Sequence, residues 1–413
     1  MNPFLEKPMK TDALFKDWNS IYPKPYNKDE VDPYTKTRII LMNGTEYEAV
    51  WFSHNFSRHC TNNDLRREIA ITRRSEQQQQ KVISVLKPAD ESILETTISY
   101  EQLAVDLTAR LAQREPNQHV KMALDFALLE DFDHLYRYSD LLEMERGIRA
   151  EQLVGHYTEI MPGRPTIAEH RFPNDNIRMY VDFCKADPIT KLNVAIITAA
   201  EQQTMNYYMN VAGFYDSDRG RSLYQEIALI EEQHVSQYGS LLDTKMTWLE
   251  GLLQHEYTEC YLYYSCYQDE TDPYIKKIWE QHFIEEVNHL HQAEELLKKY
   301  EKKEWQQVIP DGCFPQLLTL GENKEYVRNI LCSTVQLTSV KDDYPNVSDL
   351  STESELYKFQ NILNHDVEQV PSHRVIHDYI CQKGQDYRFE DKENPVYDLR
   401  DRSCDNTNVG RIK

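Results

Sequence analysis

Glycine is scarce in this sequence, 12 in 413 residues, under half the usual share of about 7%. Sheets and barrels rely on glycine at their turns, so the shortage favours long helices. Basic residues are outnumbered, 46 against 68 acidic, for a net charge of −22. Nucleic-acid binding needs clustered lysine and arginine, so no nucleic-acid partner is expected. No apolar run approaches the roughly 18 residues of a membrane span, so no membrane is expected either. The first residues, Met1-Asn-Pro-Phe-Leu-Glu-Lys, lack the apolar core of a secretory signal, and a cytoplasmic location is the resulting expectation. There are eight cysteines but no C-x-x-C pair. Zinc ribbons and rubredoxin-type iron sites are thereby disfavoured, and the cysteines read as buried thiols in a reducing compartment.

Four segments follow from the local patterns. Residues 1–90 hold a Pro-, Lys- and Asp-rich arm to about 36, a small β-hairpin, and a helix from about Asn62 to Leu86. The hairpin is expected because Asn43-Gly44 separates two apolar runs, Arg38 to Met42 and Thr45 to Trp51. Residues 91–187 hold a helical hairpin, about 92–113 and 118–146, broken at Glu115-Pro116-Asn117, and then a long connection. Residues 188–302 hold two more helical hairpins. One is about 188–212 and 219–242, the other about 246–268 and 273–302, with turns at Asp216-Ser217-Asp218 and Thr271-Asp272-Pro273. Residues 303–413 hold short amphipathic pieces near 323–337, 353–364 and 371–383, and a polar tail from 384. The expected fold class is all-α with a small N-terminal β-hairpin, centred on a four-helix bundle over 188–302.

The candidate chemistry lies in those last two hairpins. Glu201 is followed 30 residues later by Glu231, which begins an E-x-x-H with His234; Glu256 is followed 30 residues later by Glu286, which begins another with His289. Folding each hairpin at its central turn brings its two glutamates level. Residues i and i+3 share a helix face about 4.5 Å apart along the axis, so each motif aims a carboxylate and an imidazole the same way. The motif alone carries little weight. With 14 histidines and 68 acids in 413 residues, about two histidines (14 × 68/413) should follow an acid by three; the sequence has three. The weight lies in the shared offset, the central turns, and apolar or aromatic neighbours such as Ile197, Tyr208, Ile227, Leu253, Tyr263 and Phe283. A charge in such a stripe is costly unless paired or metal-bound.

Four carboxylates and two imidazoles suit a pair of iron ions, or manganese, and one Glu from each of two helices with Glu-x-x-His from each of two others is the pattern of di-metal carboxylate bundles. In this reading Glu231 and Glu286 bridge or chelate, Glu201 and Glu256 are terminal carboxylates, and His234 and His289 are terminal nitrogen ligands. An alternative pairing uses hairpin one, whose Glu101, Asp131 and His134 repeat the same offset about Pro116. That site would comprise Glu101, Asp131, His134, Glu201, Glu231 and His234. The bland alternative is that these acids and histidines line solvated helix faces. His255, His282 and His291 are candidate outer donors; His54, His59 and Cys60, and His373 with His377, form weaker groupings.

The segment Leu252-Leu-Gln-His-Glu-Tyr-Thr-Glu-Cys-Tyr resembles the third bundle helix of rubrerythrin-like proteins. Ile284-Glu-Glu-Val-Asn-His resembles their fourth, and Ala200-Glu-Gln-Gln their first. The resemblance covers roughly 190–300. It implies membership of the ferritin-like di-iron carboxylate superfamily, with two iron ions (or manganese) as cofactor and an oxidoreductase that reacts with dioxygen or peroxide. It also implies that Glu259 exchanges on and off the metal during turnover. The chain departs from that family in lacking rubredoxin cysteines. An unidentified small-molecule organic substrate and a homodimer are compatible with the extra segments. The alternatives are a metal storage or sensing protein and a helical scaffold with a vestigial site.

Overall fold

The computed structural model describes residues 1–388, so the notional tail over 384–413 lies mostly outside the described residues. Of the described residues, 67% are helical. Its helices are α1 Pro33–His59, α2 Asn63–Ser84, α3 Ile93–Arg114, α4 Gln118–Arg146, α5 Ala150–Leu153, α6 Thr166–Glu169, α7 Pro188–Phe214, α8 Asp218–Gly239, α9 Trp248–Asp269, α10 Pro273–Glu301, α11 Lys324–Thr334, α12 Glu355–Leu363 and α13 Pro371–Lys383. No strand occurs among the described residues, only the isolated bridges Leu337–Asn346 and Val340–Asp343.

The turns expected from sequence are helix caps. Asn62, Asn117, Ser217 and Asp272 each accept a hydrogen bond from the first backbone N–H groups of the helix that follows. Ser92 with Glu95, and Thr247 with Glu250, form reciprocal capping boxes. Pro33 and Pro273 sit at first helical positions, where a missing N–H costs nothing.

The expected β-hairpin at 38–51 is not formed: those residues are the middle of α1. Ile39, Met42, Glu46, Ala49, Ser53 and Phe56 are all buried, at spacings of 3, 4, 3, 4 and 3, which is one helix face. A mid-helix glycine costs about 1 kcal/mol, whereas each fully buried large apolar side chain contributes roughly 1.5–3 kcal/mol, so the buried stripe overrides Asn43-Gly44. The cysteines also differ from expectation. Of the seven described, all free, only Cys260 and Cys266 are buried. No helix among the described residues is long and apolar enough to cross a membrane.

The chain divides into two compact units, and this division replaces the single bundle expected over 188–302. The first comprises Met1–Glu91, Asp182–Ala199 and Asp243–Leu320; the second comprises Ser92–Val181, Ala200–Leu242 and the described residues from Gly321. In the first, α1 packs on α2 and α9, and α10 packs on α9 and α2. Arg38 on α1 locks onto Glu270 at the end of α9 (Nε to Oε2, 3.0 Å), which also accepts from Trp279 Nε1 on α10 at 3.0 Å. In the second unit α3 packs on α4 and α4 on α8, with α13 lying against both α4 and α8. Residues 200–214 of α7 meet α3, where Gln203 Nε2 donates to Tyr100 Oη at 2.6 Å. The first unit is therefore built on the hairpins α1–α2 and α9–α10, which are distant in sequence, and the second on the successive hairpins α3–α4 and α7–α8, the latter from residue 200.

Candidate metal centres

In the second unit α3 carries Glu101, α4 carries Asp131 and His134, α7 carries Glu201, and α8 carries Glu231 and His234. All six residues are at most 1% exposed. Ligand atoms of Asp131, Glu201, Glu231 and His234 lie within 4.8 Å of one another, as do those of Glu101, His134 and Glu231. Glu231 belongs to both groups. Its Oε1 is 3.0 Å from His134 Nδ1 and its Oε2 is 3.3 Å from His234 Nδ1, so this carboxylate spans the two imidazoles. His234 Nδ1 also sits 3.2 Å from Asp131 and 3.6 Å from Glu201.

The outward nitrogens are held as firmly. His134 Nε2 is 3.0 Å from Glu169, and His234 Nε2 is 2.8 Å from Glu130. Glu130 is in turn gripped by Arg164 Nη1 at 3.1 Å and by Arg171. Both imidazoles thus turn Nδ1 inward and Nε2 onto a carboxylate, the arrangement that fixes the ring of a metal-binding histidine. On the far side Tyr208 Oη donates to Glu101 Oε1 at 2.5 Å and packs among Tyr138, Tyr207 and Tyr224, with ring centroids 5.3–5.6 Å away.

The donors facing inward are not satisfied by one another. Both oxygens of Asp131 and of Glu201, one oxygen each of Glu101 and Glu231, and His234 Nδ1 are buried with no hydrogen-bond partner. Burial pushes the Glu101, Asp131 and Glu201 carboxyls up. At Glu231 burial is outweighed by His134 and His234, which hold it at about 2. Burial alone would lower both imidazoles, yet Glu169 and Glu231 lift His134, and Asp131 and Glu201 lift His234, well above the usual range. Four carboxylates with two neutral imidazoles match the charge of two divalent cations, so this donor set fits a metal pair.

The first unit carries a related cluster. Glu46 is on α1, Glu76 and Gln79 on α2, Glu256 and Glu259 on α9, and Glu286 and His289 on α10, all at most 2% exposed. Ligand atoms of Glu76, Glu256 and His289 lie within 4.8 Å of one another, as do those of Glu256, Glu259 and Glu286. His289 Nδ1 is 3.1 Å from Glu286 Oε2, and Gln79 Nε2 donates to Glu286 Oε1 at 2.5 Å. Tyr263 Oη donates to Glu46 and is 3.3 Å from His282 Nδ1. His255 lies 3.1 Å from Glu48 and 3.7 Å from Glu259; against the lowering effect of burial, Glu48 lifts it to about 9.

The structure thus separates the residues that the preferred sequence pairing joined. Glu201, Glu231 and His234 cluster with Asp131 in the second unit, while Glu256, Glu259, Glu286 and His289 cluster with Glu76 in the first. No group among the described residues mixes the two sets. The constellation in the second unit is the alternative pairing of hairpins one and two. Of the other histidines, His282 and His255 border the first cluster, whereas His291 is held by the Glu6 carbonyl at 3.0 Å. His54, His59, Cys60, His373 and His377 join no candidate group.

Sequence reading missed Glu46, Glu76 and Gln79, and the outer residues Glu130, Glu169, Arg164 and Arg171. A signal for the first three was present. Glu46 and Glu76 are 30 apart, as are Glu101 and Asp131, Glu201 and Glu231, and Glu256 and Glu286. Gln79 follows Glu76 by three, where the other hairpins place His134, His234 and His289. The tyrosines repeat too: Tyr208 and Tyr263 each stand seven residues after Glu201 and Glu256, and each donates to the leading glutamate of the partner hairpin. Comparison with known proteins gives no match to any family model, curated protein or solved structure.

Proposed function

We propose that the second unit holds a pair of iron ions, or manganese, and is an oxidoreductase acting with dioxygen or peroxide. The observation that carries this reading is Glu231, which reaches the inward nitrogens of both His134 and His234 while Asp131, Glu201 and Glu101 complete the ring with unpartnered oxygens. A two-ion carboxylate centre would supply one-electron steps to a small oxidant.

The chain's own residues would have distinct tasks. Glu231, common to both ligand groups, would serve both ions, Asp131 and Glu201 would serve with His234, and Glu101 with His134. Glu130 and Glu169 fix the two rings, and the Arg164–Arg171 pair stabilises Glu130 as an anion. Glu130 is accordingly held below the usual range, because Arg171, His234 and Arg164 outweigh burial. Tyr208 holds Glu101 in place by its hydroxyl. The six donors are shut away from solvent, which favours a small co-reactant over direct contact with an organic substrate. A merely structural cluster is disfavoured, since unpaired acids in such a stripe are costly and apolar residues would pack there without penalty.

The test is anaerobic loading with iron(II), followed by dioxygen or peroxide, with oxidation read as ultraviolet absorbance and oxygen consumption. The wild-type chain should oxidise the bound iron, and Asp131→Asn with Glu231→Gln should not. Equal oxidation by that variant, with its helix content unchanged, would reject the assignment.

A further inference from the structure

We infer that the first unit is a separate two-cation site, built almost wholly from oxygen donors, whose relative preference for manganese(II) over iron(II) exceeds that of the second unit. This shares its ligand logic with the preceding reading but does not depend on any redox activity.

Two overlapping triads define the site. Glu76, Glu256 and His289 form one, and Glu256, Glu259 and Glu286 the other, so Glu256 is the common member as Glu231 is in the second unit. Glu46 on α1 stands outside both triads but close enough to Glu259 and Glu286 to interact with their charges, and adds a fifth buried carboxylate. Acidic clusters are common without any ion, so the decisive observation is what these groups fail to do. Both oxygens of Glu256 and of Glu259, one oxygen each of Glu46 and Glu76, Gln79 Oε1 and His289 Nε2 are buried with no hydrogen-bond partner. Five carboxylates in a dry interior repel one another strongly unless cations or protons intervene. Two divalent ions would offset four of the five charges; His255, 3.1 Å from Glu48, also lies 3.7 Å from Glu259.

The donor chemistry sets the choice of ion. The second unit offers two imidazoles to four carboxylates. The first offers one imidazole to five carboxylates, and at the position of the other imidazole it has Gln79, whose amide oxygen is unpartnered. Carboxylate and carbonyl oxygens suit manganese and magnesium, whereas added imidazole shifts preference toward iron and its later neighbours. A surface pocket of about 370 Å³, lined by Tyr22, Pro23, Tyr274, Gln281 and His282, is followed inward by the chain His282–Tyr263–Glu46.

The full chain, stripped with chelator, is titrated with manganese(II) alone, the free ion being counted by electron paramagnetic resonance and the bound ion by elemental analysis. The wild type should take about four ions, while Glu76→Gln/Glu256→Gln and Asp131→Asn/Glu231→Gln should each keep about two. When equal manganese and iron compete anaerobically, the chain lacking the second site should retain a manganese-to-iron ratio at least about threefold above the chain lacking the first. Gln79→His, a milder change, should lower the ratio in the first site. The inference is overturned if the Asp131→Asn/Glu231→Gln chain binds no manganese, or if Gln79→His leaves the ratio unmoved. Loss of all metal from the Glu76→Gln/Glu256→Gln chain alone would instead remove the reading of the second unit.

Discussion

Glu201→Gln separates a metal-binding cluster from a structural one, because its effect on stability should change sign with the metal. Both Glu201 oxygens are buried without a hydrogen bond, and Asp131, whose two oxygens are also unpartnered, stands beside it. In the metal-free chain this buried carboxyl has no hydrogen bond and only His234 Nδ1, 3.6 Å away, to offset its burial, a cost of about 1–3 kcal/mol. The amide has the same shape, carries no charge, and offers two N–H donors to Asp131. A gain of about 2 kcal/mol corresponds to roughly 4–8 °C for a unit of this size. With manganese(II) at a hundredfold excess over its dissociation constant the wild type gains about 2.7 kcal/mol, and the variant, short of a charged ligand, gains much less. Melting followed by circular dichroism should therefore rank the variant above wild type in chelator and below it in metal. If the variant melts lower in chelator, and metal lifts both proteins equally, the carboxylate is an ordinary structural group and the site assignment is wrong.

Three further outcomes follow from the same geometry. Glu130→Gln should weaken metal affinity in the second unit by about 10–100-fold, because His234 Nε2 loses its anionic partner; calorimetric titration of a chain whose first site is disabled reads this directly, and unchanged affinity would refute the outer role. Tyr208→Phe leaves Glu101 Oε1 without its donor and should lower metal-free stability by about 1–3 kcal/mol, read as a shifted denaturant midpoint; an unchanged midpoint would mean the 2.5 Å contact contributes nothing. In the first unit burial, opposed by His289 and reinforced by Glu286, raises the Glu76 carboxyl to about 7. Its folded value thus exceeds its unfolded one, so metal-free stability should fall as pH rises from about 4.5 to about 7. Cation binding must displace that proton, so manganese affinity should weaken below about pH 7 with proton uptake by the buffer; a flat affinity from pH 5.5 to 8 would contradict it.

The local part of this protein was written in local signals. Asn117, Ser217 and Asp272 stop one helix and cap the next, and the E-x-x-H spacing puts Glu231 with His234, and Glu286 with His289, on single faces. Asn43-Gly44 is a turn signal confined to two residues, and it lies inside α1. The stripe from Ile39 to Phe56, which includes Glu46, is a helical pattern spanning five turns, and burying it outweighs the glycine. A β-hairpin over 38–51 leaves Glu46 off any helix, so the 30-residue offset from Glu46 to Glu76 carries meaning only once α1 is a helix.

Local sequence patterns specify three of the four helical hairpins, each with an acid at the same height on both arms; the fourth, carrying Glu46 and Glu76, emerges only in the folded chain. Which hairpin faces which was decided only by the tertiary structure, which joins hairpins one and two in the second unit and sets the Glu46 hairpin with the Glu256 hairpin in the first. The reason is physical: caps and i,i+3 spacing act within one or two turns of chain, whereas the choice of partner depends on the fit of side chains over whole helix faces. The same holds for Glu130, Glu169, Arg164 and Arg171, whose hydrogen bonds exist only once distant segments pack around the histidines.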